Sequence, residues 1–252
     1  MSGPIYSSIL KKTGEGRKQL AVLIDPDKFE SSAIIEIANS AQVDYFFVGG
    51  SLLANGSIER CIKTIKKNST IPVIIFPGSA MQICADADAI LLISLISGRN
   101  PELLIGQHVI AAPYLKQSGL EILSTGYMLV DSGRATTASY ISNSLPIPHD
   151  KSEIAACTAM AGEMLGMKLI YLDGGSGALK PVSEKMIKSV KENTKTPLIV
   201  GGGIRSVEQA VLSLSAGADV IVVGNALEND PDLLFSIADA VHKNGPLIKS
   251  RL

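Results

Sequence analysis

The chain of 252 residues has no tryptophan, 4% aromatic residues and three cysteines. Cys61, Cys84 and Cys157 are odd in number and far apart, and no C-x-x-C spacing occurs. This pattern argues against a disulfide framework and a thiolate zinc site, and it fits a reducing compartment. The three histidines are also scattered, and none belongs to an H-E-x-x-H zinc motif.

Long apolar segments and an excess of one charge are absent as well. No apolar run reaches the roughly 18 residues of a membrane span, and the N-terminus lacks the apolar centre of a signal peptide. The 23 basic and 24 acidic residues nearly cancel, which argues against a nucleic-acid partner held by a basic face. Hydrophobic residues make up 46%, enough for a sizeable core. We therefore expect a soluble cytoplasmic protein without a nucleic-acid partner.

The chain does contain a regular alternation of short apolar runs and helical stretches. Each run is nearly continuous in apolar residues, as strands buried on both faces are, and most runs end in Gly, Pro, Asp or Ser. The eight predicted strands are Gln19–Pro26, Asp44–Gly50, Pro72–Gly78, Ala89–Ser97, Glu121–Val130, Lys168–Gly174, Pro197–Gly203 and Asp219–Asn225. Capping residues and apolar spacing predict helices over Ser31–Ser40, Ser57–Asn68, Lys151–Leu165, Ser183–Asn193, Ser206–Ala216 and Pro231–Lys243.

Eight strands with crossover helices in about 250 residues predict one α/β domain over residues 1–252, a single (β/α)8 TIM barrel. An open doubly wound sheet is the alternative, but no G-x-G-x-x-G follows the first strand. The ten residues of Ser79–Asp88 are short for a crossover helix, so we expect the third helix to be missing or replaced by a short segment. The extra segment Asp131–His149 is either a surface loop or a wall of the active site.

Glycines follow three consecutive strands at the end where barrels carry their chemistry. The sixth strand leads into Gly174, Gly175 and Gly177, the seventh into Gly201–Gly203, and the eighth into Gly224. Bare backbone amides at such positions can donate hydrogen bonds to phosphate oxygens, and the last two loops are the usual phosphate site of these barrels. Tight turns would explain one such loop, whereas three in this order indicate a bound phosphate.

Oxygen ligands follow the first two strands. Asp25 ends the first strand and Ser51 follows the second, a donor pair suited to Mg²⁺ shared with substrate phosphates. The alternative for Asp25 is a helix cap before Pro26, and for Ser51 a residue of an ordinary turn. Spacing alone leaves both interpretations open.

Taken together, these motifs resemble one enzyme family over about Leu20 to Leu233. They are L-I-D-P-D-K from Leu23, V-G-G-S from Val48, Y-L-D-G-G-S-G from Tyr171, G-G-G-I-R-S from Gly201 and V-V-G-N from Val222. The family is geranylgeranylglyceryl phosphate synthase, with its bacterial relative heptaprenylglyceryl phosphate synthase. The resemblance implies a prenyltransferase that joins sn-glycerol 1-phosphate to a long polyprenyl diphosphate, for which we expect geranylgeranyl diphosphate. The products would be an ether-linked lipid precursor and diphosphate.

The resemblance also implies roles for individual residues. Asp25 and Ser51 would bind Mg²⁺, and Asp173 would accept the proton of the attacking hydroxyl. The implied substrate-binding residues are Tyr171, Leu172, Asp173, Gly174, Gly175, Ser176, Gly177, Gly202, Gly203, Gly224 and Asn225. Where the family commonly has Glu, this chain has the shorter Asp173. By the same resemblance we expect a barrel without its third helix, a homo-oligomer and a transient contact with a membrane surface.

A prenyl tail needs an apolar groove, which Met81, Ile83, Ile90, Leu91 and Leu92 could wall, although core packing also explains most of them. Two other functions stay open from the residues alone. A sugar-phosphate isomerase or aldolase would use the same phosphate loops, but an aldolase needs a Schiff-base lysine on a central strand. Lys168 and Lys195 lie at or before strand starts instead. A non-catalytic phosphate-binding scaffold would not need three polar strand ends.

Overall fold

The computed structural model describes residues 3–29 and 31–243, so residues 1–2, 30 and 244–252 of the predicted single domain lie outside the described part. Eight parallel strands close into a barrel in chain order, with the first strand paired to the last. They are β1 Gln19–Ile24, β2 Tyr45–Val48, β3 Val73–Ile75, β4 Ala89–Leu95, β5 Glu121–Leu129, β6 Leu169–Asp173, β7 Leu198–Gly201 and β8 Val220–Val223. The predicted TIM barrel is confirmed, and the open doubly wound sheet is wrong.

Helices cover the outside of this barrel. The described residues form α1 Pro4–Gly14, α2 Ala33–Ser40, α3 Ile58–Asn68, α4 Gln107–Ser118, α5 Thr137–Ser142, α6 Ser152–Met164, α7 Glu184–Asn193, α8 Val207–Ser215, α9 Asn225–Asn229 and α10 Leu233–Lys243. A 3₁₀ turn spans Pro26–Lys28, and a π-helical turn spans Glu102–Gly106. In this part of the chain, no helix combines the length and apolarity needed to cross a membrane.

Side chains alternate between two cores along each strand. On β6, Leu169 and Tyr171 pack inside the barrel, whereas Ile170 and Leu172 pack outwards against the helices. The alternation follows from the two-residue period of a strand. Asp173 is the next inward position after Tyr171, so the pleat itself brings this carboxylate to the top of the barrel interior.

The connection between β3 and β4 contains no helix, as the short Ser79–Asp88 segment predicts. Asp88 holds the start of β4 in place, since its carboxylate accepts from the Val73 amide at 2.8 Å and pairs with Lys66 at 2.7 Å. Four helices were not predicted: α1, α4, α5 and α9. The sequence patterns predict no helix over α1, α4 or α5, and α9 begins at the end of the predicted eighth strand. Helix α4 contains Pro113 and begins at the π-helical turn, and both features weaken a regular apolar spacing.

Helix α1 lies against the barrel with Ile5 and Ile9 in the inner core. The Glu121 carboxylate, at the start of β5, accepts hydrogen bonds from the amides of Ile5 at 2.8 Å and Tyr6 at 2.9 Å. These amides belong to the first turn of α1 and have no partner within the helix. Glu121 therefore acts as a cap supplied from a distant part of the chain.

Removing this cap should destabilise the fold. We predict that Glu121→Ala lowers the free energy of unfolding by about 1–2 kcal/mol, because two amides lose a charged acceptor. The urea midpoint at an unchanged slope measures the effect. The control Glu36→Ala, on an exposed face of α2, should stay within about 0.5 kcal/mol of the parent. Equal midpoints for the two variants would contradict the capping role.

Candidate active site

A cavity of about 770 Å³ lies between the loops that follow β2 and β3. Two further cavities at the C-terminal ends of the strands meet at Asp173, and we call these two the larger and the smaller cavity. The larger encloses about 350 Å³ and runs from the ends of β1 and β2 to the inner side of α4. The smaller encloses about 50 Å³ and lies between the loops that follow β6, β7 and β8. The two cavities share the side chain of Asp173, together with Leu23, Ser176, Gly224 and Asn225. Asp173 thus lies where the two spaces meet.

The smaller cavity, which we call the glycine pocket, has five glycines among its lining residues: Gly175, Gly177, Gly202, Gly203 and Gly224. Most of the substrate-binding residues predicted from the sequence line this pocket. They are Tyr171, Asp173, Gly175, Ser176, Gly177, Gly202, Gly203, Gly224 and Asn225. Gly202 has φ +80° and almost no room for a side chain: a Cβ there would lie 2.6 Å from the Gly175 nitrogen and 2.7 Å from Oδ1 of Asp173. Glycine is therefore needed here for both the left-handed backbone and the close approach of the two loops.

Two of the residues that the resemblance assigns to the substrate line neither cavity. The Leu172 side chain packs in the outer core, completely buried. The Gly174 amide donates to the carbonyl of Gly201 at 3.0 Å, so it belongs to the strand ladder. Both residues support the loop rather than face the pocket.

Asp173 is buried and held at both carboxylate oxygens. The Tyr127 hydroxyl donates to Oδ2 at 2.6 Å, and the Gly175 amide donates to Oδ1 at 2.7 Å. Burial raises the pKa of Asp173 above its ordinary value, and these two hydrogen bonds oppose the increase. Burial and the nearby Asp173 charge also raise the pKa of Tyr127, which keeps its hydroxyl protonated as a donor. The two hydrogen bonds fix the carboxylate in place. Because its pKa is raised, the carboxylate takes up a proton more readily than that of an exposed aspartate.

Aromatic rings form the floor beneath this carboxylate. Phe76 stacks on Tyr171 with ring centroids 5.2 Å apart and meets the edge of Tyr127 at 5.8 Å. Tyr127 and Tyr171 are themselves 5.4 Å apart in an edge-to-face arrangement. These contacts fill the upper barrel and keep Tyr127 aimed at Asp173. Tyr127 and Phe76 were not among the predicted site residues, because their roles depend on neighbours from other strands.

Asp25 and Ser51 both line the larger cavity, on the wall formed by the ends of β1 and β2. The Asp25 Oδ1 accepts from the Asp27 amide at 3.0 Å, so the predicted capping role is real. Its Oδ2 accepts no hydrogen bond within the described residues. Burial raises the pKa of Asp25, and the negative charges of Asp27 and Glu228 raise it further. The hydrogen bond from the Asp27 amide and the positive charge of Lys28 lower it, but the pKa remains above its ordinary value. A cation beside Asp25 would relieve this unfavourable environment.

A chain of polar contacts joins the two cavities along one side. The Ser176 hydroxyl donates to Oδ1 of Asn225 at 3.0 Å, and the Asn225 amide donates to Glu228 at 3.1 Å. Glu228 in turn pairs with Lys28 at 3.0 Å. The loops after β1, β6 and β8 are therefore linked at the mouth of the site.

The larger cavity also has an apolar arm. Four of the five apolar residues suggested by the sequence as groove walls line this arm: Ile83, Ile90, Leu91 and Leu92. The fifth, Met81, is 88% exposed and lies outside it. The opposite wall comes from the segment before α4 and from α4 itself, and its residues are Leu103, Gln107, His108, Ala111 and Leu115. The spacing of four from Gln107 to Leu115 could have indicated this helix face.

The segment Asp131–His149 forms a wall of the site rather than a remote loop. Its helix α5 contributes Thr137, Ala138, Ile141 and Ser142 to the lining of the larger cavity. Lys168 and Lys195 lie elsewhere. Lys168 donates to the carbonyl of Ile122 near the opposite end of the barrel, and Lys195 is exposed before β7. Neither supplies a Schiff-base lysine to the two cavities.

Comparison with known proteins agrees with this arrangement. Residues 15–243 of the chain match the PcrB family. A curated relative from Chitinophaga pinensis, named geranylgeranylglyceryl phosphate synthase, is 54% identical and covers 99% of this chain and 100% of its own. A relative of the same name from Pyrococcus furiosus is 43% identical over 82% of this chain and 84% of its own.

Solved structures give the same relationship. The (S)-3-O-geranylgeranylglyceryl phosphate synthase from Thermoplasma acidophilum, crystallised with its substrate sn-glycerol-1-phosphate, superposes with a TM-score of 0.88. It is 32% identical, with 96% of this chain and 99% of that chain covered. An archaeal fructose 1,6-bisphosphate aldolase, at 15% identity and a TM-score of 0.61, shares the fold alone. By its sequence, its barrel and the composition of its strand ends, the chain belongs to the PcrB family.

Proposed function

We propose that the protein is a prenyltransferase that joins sn-glycerol 1-phosphate to geranylgeranyl diphosphate. The observation that carries the proposal is the meeting of two unlike cavities at one buried carboxylate. The glycine pocket suits a phosphate, the apolar arm suits a prenyl tail, and Asp173 lies between them. The names of the curated relatives and the bound substrate of the Thermoplasma acidophilum enzyme support the same pair of substrates.

The glycine pocket, Asp173 and Tyr127 each have a separate role in the proposed reaction. With its phosphate in the glycine pocket, the glycerol part of the substrate extends towards Asp173. A glycerol hydroxyl oxygen attacks the first carbon of the prenyl group, forming the ether bond, while the bond from that carbon to the diphosphate oxygen breaks. The hydroxyl proton passes to Asp173, and the diphosphate leaves with the bonding electrons. Tyr127 holds the carboxylate in position by its hydrogen bond.

A magnesium ion fits the other wall of the larger cavity. Asp25 and Ser51 would hold it, because Asp25 offers an unused carboxylate oxygen and Ser51 lines the same wall. No cluster of three or more His, Cys, Asp or Glu residues suited to a metal occurs in the described ranges. A small protein donor set is typical of Mg²⁺, which completes its shell with waters and substrate phosphates. When bound, the ion would neutralise charge on the leaving diphosphate.

The expected homo-oligomer and membrane contact are proposals too. Helix α4 and the turn before it expose apolar side chains: Ile105, Val109, Ile110 and Tyr114 are each more than half exposed. This surface lies on the outer side of the helix whose inner side lines the apolar arm. It supports a contact between this helix and another apolar surface.

The activity itself can be tested directly. We predict that the purified protein joins radiolabelled geranylgeranyl diphosphate to sn-glycerol 1-phosphate, and that chelation of Mg²⁺ with EDTA abolishes product formation. Chromatography of the organic extract measures the labelled ether. Replacing sn-glycerol 1-phosphate by sn-glycerol 3-phosphate serves as the control for the substrate's handedness. Absence of product with both glycerol phosphates would overturn the proposed function.

Substitutions at Asp173 test its role as base. We predict that Asp173→Asn lowers kcat by roughly 10²–10⁴ with little change in sn-glycerol 1-phosphate affinity. Tyr127→Phe removes a hydrogen bond that lowers the pKa of Asp173, so the acid limb of the kcat profile should move to higher pH. Steady-state kinetics over a pH series measures both effects. An unchanged kcat in Asp173→Asn, with only KM raised, would indicate ground-state binding instead.

Asp25 is expected to act on the other substrate. We predict that Asp25→Asn loses turnover by on the order of 10²-fold or more, since the metal that aids the leaving group is lost. Calorimetry should show nearly parental affinity for sn-glycerol 1-phosphate, because that substrate occupies the loops after β6, β7 and β8. The control Asp239→Asn, on the exposed side of α10, removes the same charge and should keep full activity. Equal loss of both properties in Asp25→Asn would indicate a structural role.

A further inference from the structure

The segment Asp131–His149 is attached along the loop that forms the glycine pocket. The Ser132 carbonyl accepts from the amides of Leu179 at 3.2 Å and Lys180 at 3.1 Å. The His149 ring contacts the carbonyl of Pro181 at 3.1 Å. The segment therefore leaves β5, runs beside the loop after β6 and is held to it at both of its ends.

Between these attachments, two side chains reach the glycines of that loop. A Cβ at Gly175 would lie 2.8 Å from the Thr136 hydroxyl, and a Cβ at Gly177 would lie 3.0 Å from Nη2 of Arg134. Gly177 lines the glycine pocket and has φ +75°. The guanidinium group of Arg134 is thus placed directly against the pocket wall.

A cation beside the pocket would balance the negative charges of Asp173 and of a bound phosphate. A phosphate monoester carries a charge of about −1.5 to −2 near pH 7, and Asp173 adds a negative charge to the same space. Among the described residues, Arg205 is the only charged residue besides Asp173 that lines the pocket, and its guanidinium donates to the Ala178 carbonyl. Within residues 3–29 and 31–243, no carboxylate lies within 4.0 Å of Arg134 or Arg205.

We infer that Arg134 is a substrate-binding residue that pairs with the phosphate of sn-glycerol 1-phosphate from the side of the insertion. The inference rests on the proposed function and extends its phosphate site to a segment outside the glycine loops. Arg134 is exposed and forms no hydrogen bond or ion pair with the described residues, so its guanidinium is available to donate to a phosphate oxygen at the edge of the pocket. It supplies the second positive charge, and the hydrogen bonds of the Ser132 carbonyl hold its segment beside the loop after β6.

Three substitutions separate charge from size at this position. Arg134→Lys keeps the charge, Arg134→Met keeps the length without the charge, and Arg134→Glu reverses it. We expect the affinity for sn-glycerol 1-phosphate to fall by about tenfold in Arg134→Met, about 1.4 kcal/mol. The loss should be smaller in Arg134→Lys and larger in Arg134→Glu. Calorimetry with sn-glycerol 1-phosphate, and separately with inorganic phosphate, measures the series without any turnover.

The control Arg17→Met removes the same charge at the opposite end of the barrel, before β1, and should bind like the parent. Thermal midpoints of all variants should agree, since Arg134 is exposed and has no hydrogen-bond or ion-pair partner in the described part of the chain. The role of Arg134 would be overturned if Arg134→Met bound sn-glycerol 1-phosphate with parental affinity. It would also be overturned if Arg134→Lys lost as much affinity as Arg134→Glu. Either result would leave the proposed function in place. A parent protein that binds inorganic phosphate but not sn-glycerol 1-phosphate would instead reject the proposed function, and the phosphate series would still test Arg134. A parent that binds neither would overturn both.

Discussion

The Asp173 carboxylate is buried at the end of β6, and its hydrogen bonds determine how the surrounding loops are arranged. The Gly175 amide turns back onto Oδ1, and Gly202 packs so closely against both that no side chain fits there. On the other side, Tyr127 reaches Oδ2 from the neighbouring strand β5. A buried charge is costly unless its lone pairs are satisfied, so these contacts stabilise the loop and hold the carboxylate in one position at the same time.

The barrel departs from its regular plan beside the larger cavity. The connection from β3 to β4 has no helix, and the chain after β4 passes through a π-helical turn before α4 begins. Together these departures leave an apolar arm between the strand ends and the inner face of α4. Irregular helical turns of this kind are frequent at functional sites. The glycine pocket, in contrast, lies between the loops that follow three neighbouring strands, β6, β7 and β8.

This difference explains how far the sequence alone could lead. The eight strands, the missing helix and the glycine pocket follow from local patterns: apolar runs, a short connection, and glycines at strand ends. The partners of those residues do not, because Tyr127 meets Asp173, and Arg134 meets Gly177, across 46 and 43 positions of the chain. Helix α4 was not predicted because Pro113 and the π-helical turn interrupt its pattern. Leu172 and Gly174 belong to the motif Tyr171–Gly177, whose other residues line the glycine pocket. The Leu172 side chain instead points outwards from the barrel, and the Gly174 amide is hydrogen-bonded within the strand ladder.

A crystal structure of the protein with sn-glycerol 1-phosphate would test whether the two substrates meet at Asp173. We expect the phosphate in the glycine pocket, against Gly177 and Gly202, with a glycerol hydroxyl about 3 Å from the Asp173 carboxylate. A phosphate bound outside the glycine pocket would contradict this arrangement. So would a bound molecule whose hydroxyl groups all point away from Asp173 and the larger cavity.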